Sequence, residues 1–148
     1  MSSIATNRKA RYDYKVLEEF EAGIELKGFE VKSLLTRGVS LKGTYAVIRG
    51  GEAWVLNLDI PAYQPKNAPK EYDSERSRKL LLKKKEIKYL MGRTQEKGLT
   101  VVPLSMYTKG GKIKVKIGLC KPKKKKDKRE KIKKRDIERD VKRHLKNR

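Results

Sequence analysis

The chain has 148 residues, with 40 Lys and Arg against 18 Asp and Glu, a formal net charge of +22 and a pI near 10.1. Self-repulsion on that scale calls for a polyanionic partner, and nucleic acid leads over membrane lipid because no apolar run approaches the ~20 residues that span a bilayer. A cytoplasmic protein is therefore expected, with room for one compact domain of about 115 residues beside a basic extension.

Residues 1–6 are small and carry no periodic signal, and Asn7-Arg8-Lys9-Ala10-Arg11 then forms a compact basic cluster. Residues 1–12 are assigned as a basic N-terminal arm, either a solvated leader or a phosphate contact. Tyr14, Val16, Glu18 and Phe20 alternate with Lys15, Leu17 and Glu19, which predicts a first strand that continues through Leu26. Val31, Leu34 and Leu35 then switch to helical spacing, and Gly38 ends a short helix over 28–37.

Two apolar runs, 45–49 and 52–60, flank Gly50-Gly51, a pair suited to the positive φ angles of a tight hairpin. A loop over 61–79 follows, with Pro61, Pro65 and Pro69 and a charged end that includes Arg76, Arg78 and Lys79. Leu80-Leu81-Leu82 opens into a second helix over 83–97, on which Ile87, Leu90 and Met91 mark one stripe before Gly98. A second Gly-Gly hairpin joins 99–108 to 112–120. Its last strand sets Ile113, Val115, Ile117 and Leu119 against Lys112, Lys114 and Lys116. The lysine row is either an edge-blunting device or a phosphate-facing ladder, and the first reading is favoured.

The order strand, helix, hairpin, helix, hairpin predicts a mainly β domain over 13–120. The expected architecture is a small closed or partly open antiparallel OB-type Greek-key barrel of about five strands with two short helices. The remaining 121–148 hold 16 Lys and Arg against five Asp and Glu, half of the chain's net charge. With only Ile132, Ile137, Val141 and Leu145 to bury, this C-terminal tail is expected to be disordered or inducibly helical, ordered by a partner. Pairs such as Glu130 with Lys134 and Glu138 with Lys142 support a helix of roughly 30 Å from residue 127 on.

No catalytic constellation is evident. The chain has one histidine, His144, and one cysteine, Cys120, and no phosphate-cradling glycine motif, so no enzyme activity, metal or cofactor is expected. Cys120 falls in an apolar alternation and reads as a packing residue. Aromatics at Tyr12, Tyr14, Phe29, Tyr45, Trp54, Tyr72, Tyr89 and Tyr107 are interspersed with basic clusters, a composition suited to RNA. Phe20, Phe29 and Trp54 are expected to be interior or half-buried, and Tyr12 and Tyr72 on the surface. A ribosomal protein or initiation-factor-like barrel on ribosomal RNA fits the same features.

An ordered set of stretches resembles the small protein B, or SsrA-binding protein, family: Asn7-Arg8-Lys9-Ala10-Arg11, Phe20-Glu21-Ala22-Gly23, Glu30-Val31-Lys32-Ser33-Leu34, Arg78-Lys79-Leu80-Leu81-Leu82, Glu96-Lys97-Gly98-Leu99-Thr100 and Asp127-Lys128-Arg129-Glu130. The resemblance implies a monomeric adaptor that holds the tRNA-like domain of transfer-messenger RNA and delivers it to stalled ribosomes for trans-translation, with elongation factor Tu in the delivery complex. Carried over by position, it implies Asn7, Glu21, Leu81 and Lys83 as RNA-binding, and the basic residues Arg8, Lys9, Arg11, Lys32, Arg78 and Lys79 complete the expected RNA-binding set. It also implies that Asp127, Lys128 and Arg129 act in a tail that probes the decoding centre and the empty messenger channel, and Lys124, Lys125, Lys133, Lys134, Arg135 and Ile137 complete the expected tail set. Two residues depart from the family pattern: Pro122, which implies a stiffer hinge into the tail, and Lys126, which stands where the family carries His or an aromatic residue.

Overall fold

The computed structural model describes residues 1–64, 66, 69–96 and 98–124. In chain order these form β1 (Ser2–Thr6), α1 (Arg8–Asp13), β2 (Tyr14–Ile24), α2 (Gly28–Arg37), β3 (Tyr45–Arg49), β4 (Glu52–Leu56), β5 (Arg78–Leu81), α3 (Lys84–Thr94), β6 (Thr100–Lys109) and β7 (Lys112–Pro122). All strand pairs are antiparallel. They run β6-β3-β4-β5-β2-β7 and return through a β6–β7 ladder, so the sheet closes into the expected small barrel. β1 lies outside the ring on β6, pairing Ser2 with Thr108 and Thr6 with Ser105.

Both Gly-Gly hairpins form as the sequence predicts. Gly50 and Gly51 have φ of 62° and 74°, and Gly110 and Gly111 have 58° and 75°, a region that side-chain-bearing residues rarely enter. Period-two alternation fills the interior with Ala22, Ala46, Ala53, Val55, Leu80, Val101, Met106, Val115, Ile117 and Leu119, each buried. Leu34 of α2 and Leu90 of α3 add to the same core.

Three elements go beyond the predicted set. β1 has no alternation of its own and exists because β6 presents an unpaired edge there. β5, predicted as the end of a loop and the start of a helix, is a strand held on both sides: Trp54 pairs with Lys79, and Gly23 with Leu81. α1 has six residues, too few for a periodic signal, and depends on its cap. At the C-terminal end β7 runs two residues past the expected boundary, with Pro122 opposite Tyr14. Beyond it, the Lys123 amide donates to Asp13 O at 2.9 Å.

Candidate nucleic-acid interface

Partners in a β ladder project to the same side of the sheet, so strand register defines the outer surface of the barrel. One outward row reads Leu81, Gly23, Lys114, Tyr107, Ser3, crossing five strands. The next reads Glu21, Lys116, Ser105, Thr6. Lys79 projects beside Leu81 on the same face of β5. The sequence-implied residues Glu21, Lys79 and Leu81 therefore share one face, although they come from segments about 60 residues apart in the chain.

Leu81 is 48% exposed on this charged face. A Cβ on Gly23 would lie 3.2 Å from Leu81 Cβ, so the glycine leaves room for the leucine to lie across the neighbouring strand. Glu21 faces a shallow recess of about 520 Å³ lined by Tyr107, Ser105, Lys109 and Lys116. Its carboxylate accepts from the Tyr107 hydroxyl at 2.6 Å and from Lys109 Nζ at 3.4 Å. The Tyr107 hydrogen bond, with the Lys109 and Lys114 charges, holds Glu21 below its ordinary value against the opposing effect of burial. Burial and the Glu21 charge push Tyr107 up to about 12. Near neutral pH the pair is thus an anion and a neutral donor inside a lysine-rich surround.

The lysine row of β7 does not blunt an edge. β7 is paired to β2 on one side and β6 on the other, which overturns the favoured reading of that row. Lys114 and Lys116 instead project from the middle of the outer face, one row apart and flanking Glu21 and Gly23. Sequence reasoning left them out of the RNA-binding set because alternation shows which side a residue takes, but not which strands lie beside it.

Asn7, by contrast, points inward and is 4% exposed. Its Nδ2 donates to Leu41 O at 3.1 Å and Pro103 O at 2.9 Å, and its Oδ1 caps α1 by accepting from the Ala10 amide at 3.1 Å. The β6 ladder is irregular between Pro103 and Ser105, and the Asn7 amide occupies the carbonyl left there. Asn7 thereby fixes the helix on which Arg8, Lys9 and Arg11 stand exposed. Lys9 approaches Asp13 at 3.8 Å and Arg11 approaches Glu19 at 3.4 Å. Lys123 Nζ donates to Arg11 O at 3.1 Å, so the root of the tail is fastened to α1.

Arg78 corrects the RNA-binding set most sharply, because its side chain is fully buried. Nε donates to Glu30 Oε2 at 2.8 Å, Nη1 to Leu58 O at 2.5 Å and Arg76 O at 3.0 Å, and Nη2 to Tyr72 Oη at 3.0 Å and Ser74 O at 2.9 Å. All five donors are used within the protein, which leaves none for a phosphate. Arg76 adds a 2.5 Å bond to Glu30 Oε1. Tyr72 was expected on the surface but is half-buried, its hydroxyl shared between Glu30 and Ile60 O and its ring edge-on to Phe29 at 4.7 Å. Burial pushes Glu30 up, but Arg76, the Lys27 amide, Arg78 and Tyr72 outweigh it and hold the carboxyl at about 2.

Lys79 is ion-paired to Glu52 at 2.8 Å, which raises its pKa. Lys32 is exposed on α2 and so belongs to none of the strand rows above. Lys83 is exposed just before α3, where Lys84, Lys85 and Lys88 are also exposed. Lys124 is exposed beyond β7, whereas Lys125, Asp127, Lys128, Arg129, Lys133, Lys134, Arg135 and Ile137 lie outside the described residues. Cys120 is buried, and burial pushes its thiol up to about 11, in keeping with a packing role. No helix among the described residues is long and apolar enough to cross a membrane.

Comparison with known proteins yields consistent matches. The profile of a family described as SmpB protein matches residues 4–147. The SsrA-binding protein of Gloeothece citriformis is 50% identical over 143 residues, spanning 97% of this chain and 92% of its own. The SsrA-binding protein of Thermosipho africanus is 50% identical over 147 residues, spanning 99% of this chain and 98% of its own. Among solved structures, a chain described as "tmRNA-SmpB: a journey to the center of the bacterial ribosome" matches with a TM-score of 0.66 and 46% identity, over 81% of this chain and 84% of that one.

Proposed function

The chain belongs to the SmpB family, and on that premise we propose that it is a non-enzymatic RNA-binding adaptor that holds the tRNA-like domain of transfer-messenger RNA against the outer face of its barrel. One observation carries the reading: the closed ladder gathers Glu21, Lys79 and Leu81 onto a single face, with Lys114 and Lys116 beside Glu21 and Gly23 on the next strand. The lysines neutralise phosphates without regard to base, and α1 adds Arg8, Lys9 and Arg11. Leu81 supplies an apolar contact for a ribose or base. Glu21 would be repelled by phosphate, so its use is to accept from a base amino group, assisted by its ionised state. Asn7 acts through α1, Arg78 through the loop and strand it braces, and Lys32 and Lys83 are further exposed cations available to phosphate.

The adaptor works as a monomer, delivering its RNA to stalled ribosomes for trans-translation in company with elongation factor Tu. The tail, from Lys124 and Lys125 through Asp127, Lys128 and Arg129 to Lys133, Lys134, Arg135 and Ile137, folds as it enters the decoding centre and the vacant messenger channel. Messenger RNA in that channel excludes it by charge and volume. Its root on α1, through Lys123, supports a fixed exit direction, in line with the stiffening expected of Pro122.

The direct test is a gel shift with the tRNA-like RNA domain. Leu81→Asp and Glu21→Ala should each weaken binding about tenfold or more with unchanged melting temperature. Unchanged affinity in both would remove the outer face from the interface.

A further inference from the structure

The outward surface continues past β5. Register pairs Lys79 with Trp54 and Trp54 with Val47, so the row that holds Lys79 crosses β4 and reaches β3. Along β4 the alternation is clear. Ala53 and Val55 point inward at 1% exposure each, while Glu52, Trp54 and Leu56 are half-buried on the outside. Trp54 is absent from the side chains that form or pack against the core, so this large indole lies on the outside of the barrel. Its ring lines a recess of about 420 Å³, with Val47 and Leu56 beside it and Arg49 and Ser77 at the rim.

The polar groups of this recess are unequally satisfied. Glu52 is neutralised by Lys79 at 2.8 Å. Neither the Trp54 indole N–H nor the Arg49 guanidinium has a hydrogen-bond or ionic partner among the described residues. The recess therefore offers a flat aromatic surface, one free N–H donor and one uncompensated cation, adjacent to the face that carries Lys79 and Leu81.

We propose that Trp54 is a stacking platform for one unpaired nucleotide of the bound RNA, with Arg49 holding a neighbouring phosphate. The inference rests on the outer face being the RNA-binding face, and extends it onto the β3–β4 hairpin. Every base has a π face, so stacking on an indole tolerates any sequence, while the guanidinium secures the backbone beside it. An apolar protein segment fits less well, because it would cover Arg49 and the indole N–H without an anion or acceptor for either.

Trp54 is the single tryptophan of the chain, so intrinsic fluorescence reports on this position alone. The full 148-residue chain is titrated with the tRNA-like RNA domain, and binding is followed in parallel by gel shift and by tryptophan emission. Quenching should saturate over the same RNA concentrations as the gel shift. Trp54→Ala should bind roughly 5- to 100-fold more weakly at unchanged melting temperature, and Trp54→Phe should recover most of the loss. Heparin, a polyanion without bases, should bind with little quenching.

RNA bound without quenching, or Trp54→Ala binding as tightly as the parent, overturns the stacking role and leaves the outer-face reading standing. Heparin quenching as strongly as RNA also overturns it. Quenching by ribosomes free of the RNA, and not by the RNA, assigns the indole to a ribosomal partner and overturns it too. A parent protein that fails to shift the RNA overturns both readings together.

Discussion

The Arg78 guanidinium and the Glu30 carboxylate are both removed from water, and each is satisfied by several partners. A buried ion pair stabilises little relative to apolar packing, but losing one partner strands the other, at a cost of about 3–5 kcal/mol. Glu30→Gln is expected to destabilise the fold by about that amount at pH 7 while leaving the RNA affinity of the folded fraction nearly unchanged, checked by thermal melting and gel shift together. The folded carboxyl titrates at about 2 against an ordinary value of 4.5. Its contribution is therefore complete above about 4.5 and is lost as pH falls towards 2, because below that value protonation no longer distinguishes folded from unfolded chain. Acid melts of the parent should drop steeply over this window, and those of Glu30→Gln should be flatter there. A parallel acid slope in the two proteins contradicts the assignment.

At the scale of elements, α1 and β7 depend on contacts that neither contains. α1 is too short to persist alone, and Asn7 both caps it and satisfies carbonyls of Leu41 and Pro103. Asn7→Ala should cost about 2–3 kcal/mol by thermal or urea unfolding, combining a lost cap with the loss of the side-chain donor to the buried Pro103 carbonyl, while Leu41 O keeps its bonds from Thr44. A loss below about 0.5 kcal/mol contradicts the bracing role. β7 brings Lys114 and Lys116 to the centre of the outer face. If each neutralises one phosphate, either alanine variant should reduce the slope of log affinity against log salt by about 1, read from binding isotherms at several salt concentrations. A slope equal to the parent's removes that lysine from the phosphate contacts.

On the scale of the whole molecule, the proposed function divides the work between the barrel and the tail. The last ladder pair joins Pro122 to Tyr14, and Lys123 is still bonded to Asp13, so the clean place to cut lies after Lys124. Removing residues 125–148 should leave affinity for the tRNA-like domain within a few fold of the parent while abolishing peptide tagging on stalled ribosomes in a reconstituted assay. Parallel loss of both activities contradicts the division. A cut at Lys121 would also remove ladder partners of β2 and mix folding with function.

The sequence by itself determined the charge, the mainly β class, both hairpins, the α2 helix and the inward row of β7. These rest on local physics: glycine pairs at positive φ, period-two alternation, and a basic excess that needs an anion. It also carried the family resemblance through an ordered set of short motifs along this chain. Only the tertiary structure decided that residues 78–81 are a strand, that Arg78 faces Glu30 across 48 residues of chain, and that β7 has a neighbour on each side. The physical reason is shared. Whether a strand persists, whether a cation reaches solvent and whether a lysine row lines an edge or a face depend on which distant backbone lies alongside, and no local pattern encodes that neighbour.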